Sequence, residues 1–290
     1  MPIIVNMACG LANRMFQYSF YLYLKERGFN ARVDYFTHNK LPHENVEWNR
    51  IFPDASYDKA SGFDVFRLGG GDSLFQKVRR KFLNWTTSVR EMPRAFSLYE
   101  PGRWNEDKYL LGVFQNSMPA IKVLHRLKDA FRFRDFEDKR NIELQNRISN
   151  ENSVAIHVRK GKDYCKIKWY QNTCPVEFYK KAVDFIRNQI PNPKFYVFTD
   201  NPEWVKENLN FVDYELVEGN PTVGWGSHFD MQLMSLCKHN IISNSTYSWW
   251  SAFLNQNPEK IVIMPDIWFN PESIDTYKSE PLCCEKWIAI

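Results

Sequence analysis

The 290-residue chain lacks the signatures of several common reaction types. It contains no G-x-x-x-x-G-K-[ST], H-E-x-x-H or G-x-S-x-G, and no two aspartates stand two positions apart. P-loop hydrolysis, zincin proteolysis, nucleophile-elbow hydrolysis and metal-bridged D-x-D glycosyl transfer therefore find no support. The six cysteines, Cys9, Cys165, Cys174, Cys237, Cys283 and Cys284, form no C-x-x-C pair. Neither a zinc site nor a disulfide framework is indicated, and reduced thiols in cytoplasm fit best.

Long apolar runs are also missing. No segment approaches the ~20 apolar residues of a membrane-spanning helix, and Met1-Pro2-Ile3-Ile4-Val5 carries no basic n-region of a signal peptide. With 12 Gly and 15 Pro, collagen and linker readings fail. A net charge of +4 is too mild to argue for nucleic acid. The basic stretch Lys77-Val78-Arg79-Arg80-Lys81 reads as a solvated face, with acidic lipid or phosphate as the alternative.

What is present is a core-forming composition, 44% hydrophobic and 16% aromatic, large enough for two lobes. Ile3 to Met7 reads as a buried strand, Gly10 to Asn13 as a turn, and the stripe Met15, Tyr18, Leu22 as a helix closed by Gly28. Ala31 to Asp34 follows as a strand. Residues 35 to 105 show no sustained period. Ile121, Leu124, Leu127 and Phe131 form a helical stripe. A charged, Asn-rich segment then suggests a boundary near 150, giving lobes 1–150 and 151–290.

In the second half strands and helices alternate: Val154 to Val158, Pro175 to Ile190, Lys194 to Phe198, Asn201 to Leu209, Tyr214 to Val217, Phe229 to Cys237, Asn240 to Ser243, Tyr247 to Leu254 and Ile261 to Met264. The pattern predicts a doubly wound α/β lobe, which binds ligands beyond the carboxyl ends of its strands. Unusual polar residues fall at those ends. His157-Val158-Arg159-Lys160-Gly161-Lys162-Asp163 reads as a pyrophosphate cradle or as a charged surface turn. Thr199-Asp200-Asn201 reads as a helix cap. Asn244-Ser245-Thr246-Tyr247-Ser248 is richer than capping needs and suits an anion at a helix N-terminus.

Three blocks together resemble the bacterial α-1,2-fucosyltransferases of glycosyltransferase family 11. They are Gly10-Leu11-Ala12-Asn13-Arg14-Met15-Phe16-Gln17-Tyr18, His157 through Tyr164, and Asp230-Met231-Gln232-Leu233-Met234-Ser235-Leu236-Cys237-Lys238-His239-Asn240 leading into Asn244 to Trp250. The resemblance implies a GT-B fold of two Rossmann-like lobes with the active site in the cleft between them. It implies GDP-fucose as donor, a galactose-terminated oligosaccharide or lipid-linked glycan as acceptor, and inverting transfer with no metal or cofactor. No nucleic-acid partner is expected. A cytoplasmic location follows, with peripheral contact at the inner face of the membrane as a further expectation.

By that resemblance His157 and Asp230 contact guanine or ribose, Arg159 the β-phosphate, and Thr199 and Asp200 line the nucleoside pocket. Ser245, Thr246 and Ser248 hold phosphate, with the amides after Asn244, while Gly10 and Asn13 bring the N-terminal lobe against the donor. The chain departs from the family's H-x-R-R-G-D-Y: Lys160 replaces the second Arg and Lys162 is extra before Asp163. Lys supplies charge without the guanidinium fork. Arg14 adds a phosphate contact or sits on a helix surface. Arg159, aided by Lys160, is expected to stabilise the leaving diphosphate, and Asp163 to act as general base. The alternatives are a GDP-fucose transferase making another linkage and a non-catalytic glycan- or nucleotide-binding protein.

Overall fold

The computed structural model describes residues 2–35, 46–71, 73–82, 88–90, 107–273 and 278–290, and at 80–82, 88–90 and 163 the backbone alone. The chain divides into two compact units, Met1–Arg132 and Phe133–Ile290.

The first unit contains β1 (Ile3–Met7), α1 (Leu11–Glu26), β2 (Ala31–Tyr35), α2 (Trp48–Ile51), α3 (Gly62–Arg67) and α4 (Leu74–Phe82). It continues with β3 (Ser88–Arg90), β4 (Lys108–Leu111), α5 (Ser117–Lys122) and α6 (Leu124–Ala130). Its sheet is wholly parallel, in the order β2-β1-β4-β3. Gly28, at φ 83°, ends α1 as expected: its amide donates to Lys25 O and that of Phe29 to Leu24 O. That double reversal requires a left-handed residue, which glycine adopts without strain. The stripe from Ile121 to Phe131 is two short helices, because the chain breaks helical geometry at Val123 and leaves Ile121 in solvent.

The second unit contains α7 (Lys139–Asn150), β5 (Ser153–Val158), α8 (Lys162–Cys165), α9 (Val176–Gln189), β6 (Lys194–Thr199), α10 (Pro202–Asn208) and β7 (Tyr214–Val217). Then follow α11 (Phe229–Leu236), β8 (His239–Ile241), α12 (Thr246–Leu254), β9 (Val262–Met264) and β10 (Ile288–Ala289). The sheet is again wholly parallel, β10-β9-β8-β5-β6-β7. Every residue of β5 is buried, which explains why the strand reads as an almost continuous apolar run: helices cover both faces of a parallel sheet.

The break between units lies 18 residues before the boundary expected near 150. The charged segment there is the exposed face of α7, while Leu144 and Ile148 on its other face pack with Ala155, Tyr196, Leu233 and Met234 in the core of the second unit. Pro175 precedes α9 as its N-cap. All six cysteines are free, and no helix among the described residues is long and apolar enough to cross a membrane.

Candidate functional site

In the second sheet the strand order reverses between β5 and β8: β6 and β7 extend to one side, β9 and β10 to the other. A crevice opens beyond the carboxyl ends of strands at such a point. His157, near the end of β5, occupies this place. It is buried, and its Nδ1 lies 2.8 Å from Ser243 Oγ, just past the end of β8. Burial, with Arg159 adding to it, pushes the His157 pKa down to about 3. The ring is therefore a neutral hydrogen-bonding group at physiological pH, 6.1 Å from the ring of Tyr247.

The turn after β5 is organised by Asp200, the residue after β6. Its Oδ1 accepts from the amides of Lys160 and Gly161, at 2.8 and 2.9 Å, and its Oδ2 lies 2.9 Å from Arg159 Nη1. A Cβ at position 161 would stand 2.3 Å from Asp200 Oδ2, so glycine is what lets the carboxylate approach. Asp200 thus shapes the turn that carries Arg159. The Arg159 guanidinium also lies 5.2 Å from the Tyr164 ring and is 42% exposed, a cation fixed at one end and open to solvent. Lys160 turns the other way: its ammonium donates to Thr173 O at 2.8 Å and lies over the Trp204 ring. Thr199 Oγ1 accepts from Asn201 N, and Asn201 Oδ1 caps α10 at Trp204 N.

Past β8, Asn244 is buried and bound within the protein. Its Nδ2 donates to Thr173 Oγ1 and Trp268 O, its Oδ1 accepts from Cys174 Sγ, and its carbonyl accepts from the Tyr164 hydroxyl. The next residue is different. Ser245 is the N-cap of α12 and makes no side-chain cap, and the first turn contains no acidic residue. First-turn amides have no acceptor within their own helix, and the dipole adds positive potential. Ser245 and Thr246 are half-buried beside that end, whereas Ser248 is buried and donates to Ser245 O at 3.2 Å. The opposite end of α12 is closed by Lys260, whose ammonium donates to Ala252 O and Asn255 O.

Asp230, in the first turn of α11, accepts from Asn220 Nδ2 at 2.7 Å, and burial raises its pKa despite that bond and nearby Arg140. Arg140 in turn donates to Glu218 O and Asn220 Oδ1, fixing the loop before α11. The Tyr247 hydroxyl accepts from Met231 N and donates to Ser227 O, joining α11 to α12.

His157, Arg159, Asp200, Asn244 and Ser245 thus converge on one edge of the second sheet. Gly10 and Asn13 belong to the first unit: the Gly10 carbonyl accepts from Asn13 N and Arg14 N, and Asn13 Oδ1 from Gln115 Nε2. Arg14 takes neither expected position. It is buried, donates to Cys9 O at 2.7 Å and lies 4.4 Å from the Tyr35 ring centroid. The Asp163 side chain lies outside the described residues, although its backbone belongs to α8. Sequence reasoning missed Ser243, Tyr164 and Asn220 as organisers of the site. Only an unexplained histidine in an apolar strand hinted that a buried partner such as Ser243 must exist.

The sequence profile of Glycosyl transferase family 11 matches residues 95–290. An α-1,2-colitosyltransferase of Escherichia coli is 26% identical over 99% of this chain and 98% of its own length. The human galactoside α-(1,2)-fucosyltransferase 1 is 25% identical over 47% of this chain and 38% of its own. Among solved structures, the fucosyltransferase NodZ from Bradyrhizobium superposes with a TM-score of 0.51 at 12% identity, covering 86% of this chain and 91% of that one. That likeness carries the fold, an α/β arrangement of the GT-B class.

Proposed function

The chain belongs to glycosyl transferase family 11, and we propose that it transfers L-fucose from GDP-fucose to the 2-hydroxyl of a terminal β-galactoside, with inversion at the anomeric carbon. The observation that carries this reading is that the N-terminus of α12, with no side-chain cap from Ser245 and no acidic residue in its first turn, and the Arg159 guanidinium both stand at the point of strand reversal. Amides at a helix end and a planar cation are complementary to a diphosphate.

In the reaction the acceptor oxygen bonds to the anomeric carbon as the bond from that carbon to the β-phosphate oxygen breaks. The acceptor proton leaves to a base, for which Asp163 remains our candidate. Negative charge grows on departing GDP, and groups fixed in place before the reaction stabilise it best. Arg159 and the α12 amides, with Ser245 and Thr246 beside them, take that role. Asp230 accepts from guanine N–H donors, and neutral His157 orders the nucleoside end. Lys160, Asp200 and Asn244 hold these groups in position. We take the transfer to be metal-independent and cytoplasmic, the fixed cationic groups supplying the charge that D-x-D enzymes draw from a metal.

A second reading keeps the linkage and changes the sugar. The colitosyltransferase aligns with nearly the whole chain, so GDP-colitose, whose sugar lacks one hydroxyl of fucose, is the rival donor. Parallel assays with both donors, a panel of β-galactosides and excess chelator decide the matter, with the linkage determined by NMR. Release of GDP from GDP-fucose and an α-1,2 product are expected. A product of other linkage, turnover with GDP-colitose alone, or activity lost in chelator and restored by Mg²⁺ overturns the corresponding part.

A further inference from the structure

Helix α4 is amphipathic in the wrong sense for a helix resting on a soluble protein. Among its described side chains the one buried against the protein is polar: Gln76 is 2% exposed and donates from Nε2 to Phe66 O at 3.0 Å. Its apolar residues face water instead, Leu74 at 78%, Phe75 at 63% and Val78 at 46% exposure. On a helix of ~3.6 residues per turn these three share one sector. The adjacent α3 adds Phe63 and Phe66, which are 73% and 55% exposed.

This exposure is held in place. The rings of Phe66 and Phe75 stack with centroids 6.3 Å apart and planes 7° from parallel. Arg79 donates to Phe66 O at 2.9 Å and to Arg67 O at 3.2 Å, tying the two helices together. Elsewhere among the described residues, no single element carries more than two exposed large apolar side chains. Five on two joined helices make a patch, and such patches mark interaction surfaces.

The charge on α4 selects the partner. The helix carries Lys77, Arg79, Arg80 and Lys81 and no acidic residue. A second copy would bring the same cations against these, whereas anionic headgroups complement them and acyl chains accept the apolar sector. We propose that α3 and α4 form a docking face for an anionic lipid bilayer, with Leu74, Phe75 and Val78 entering the headgroup boundary. This proposal is independent of the donor and acceptor assigned above.

The test is flotation of the intact chain with vesicles of phosphatidylcholine alone or mixed with phosphatidylglycerol, at low and high salt. Binding is expected only with phosphatidylglycerol, and weaker at high salt. The triple variant Leu74→Ser, Phe75→Ser, Val78→Ser should lower the bound fraction at least tenfold. The triple variant Lys77→Gln, Arg80→Gln, Lys81→Gln should lower it by roughly ten- to a hundredfold at low salt. Unchanged circular dichroism and melting show that each variant is folded; if one is not, Phe63→Ser replaces it and should still lower binding. Three outcomes overturn the proposal: no flotation of the parent chain, equal flotation of parent and variants, or equal binding to neutral vesicles. So does a self-associated parent that the apolar variant dissociates while vesicle binding is unaltered, because the face is then a contact between copies.

Discussion

Arg159 and Asp200 meet at 2.9 Å across the ends of two neighbouring parallel strands, β5 and β6. The same carboxylate accepts two backbone amides of the turn that carries Arg159, so one anion fixes both the cation and the backbone leading to it.

The first expectation concerns that cation. Arg159→Lys retains a charge for Asp200, so the fold survives, but one ammonium cannot hold Asp200 and a diphosphate in the same fork geometry. kcat should fall by roughly 10²-fold, with donor KM changed less, because the lost contact strengthens in the transition state. Near-normal kcat at saturating donor would reduce Arg159 to a strand-end salt bridge.

Ser245→Asp separates stability from binding. An aspartate at the empty N-cap of α12 should stabilise the chain by about 0.5–1 kcal/mol, by capping and by the helix dipole. The same charge repels a diphosphate, so GDP should bind at least tenfold more weakly, about 1.4 kcal/mol. Melting and calorimetry on one sample read both. A stabilised variant with parental GDP affinity removes phosphate from this helix end.

Asp230→Asn trades an acceptor for a donor where, in the proposed site, guanine presents donors. Burial already disfavours the Asp230 charge, and an amide oxygen still accepts from Asn220, so the fold should not suffer. GDP affinity should fall by about 2–3 kcal/mol, as expected for charged hydrogen bonds left unmade. Calorimetry showing unchanged affinity in the folded variant takes Asp230 out of the nucleotide site.

Acid should destabilise the protein before its carboxylates titrate. Burial holds His157 near a pKa of about 3 and His228 near about 4, both below the ordinary imidazole value of 6.5. Between those limits the unfolded chain binds protons that the native chain refuses, so stability rises with pH there and falls on acidification. From pH 7 to 5.5 the two histidines together should cost about 2–3 kcal/mol. Urea unfolding at the two pH values measures it, and a His157→Gln variant should lose roughly half of the difference.

The strands of the second unit were legible because a parallel sheet covered on both faces needs unbroken apolar runs, and β5 and β6 supply them. The polar residues at their ends were legible as a group but not one by one. Lys160 and Arg159 are equivalent in a sequence, yet Thr173 O captures one ammonium while Asp200 holds the other cation at the solvent edge. Those partners are 13 and 41 residues away along the chain, and no local pattern announces them. Arg14 shows the same limit: it reads as helix surface until Cys9 O and the Tyr35 ring supply the partners that let a guanidinium be buried. The boundary near 150 differs from the division after Arg132 for a related reason, since charge on one face of α7 says nothing about Leu144 and Ile148 on the other.

The helix proposed to receive phosphate at its N-terminus is also firmly rooted in the second unit. Trp249 and Trp250 are fully buried, their ring centroids 4.9 Å apart, and Trp249 Nε1 donates to Leu282 O at 2.7 Å. With Lys260 on its last carbonyls, α12 cannot tilt or fray toward an arriving anion without opening the core around those indoles. If a nucleotide binds there as proposed, the first-turn amides stand in place before it arrives, and little ordering entropy remains to be lost on capture. The reorganisation that a looser anion site would undergo at each encounter is completed here once, when the chain folds.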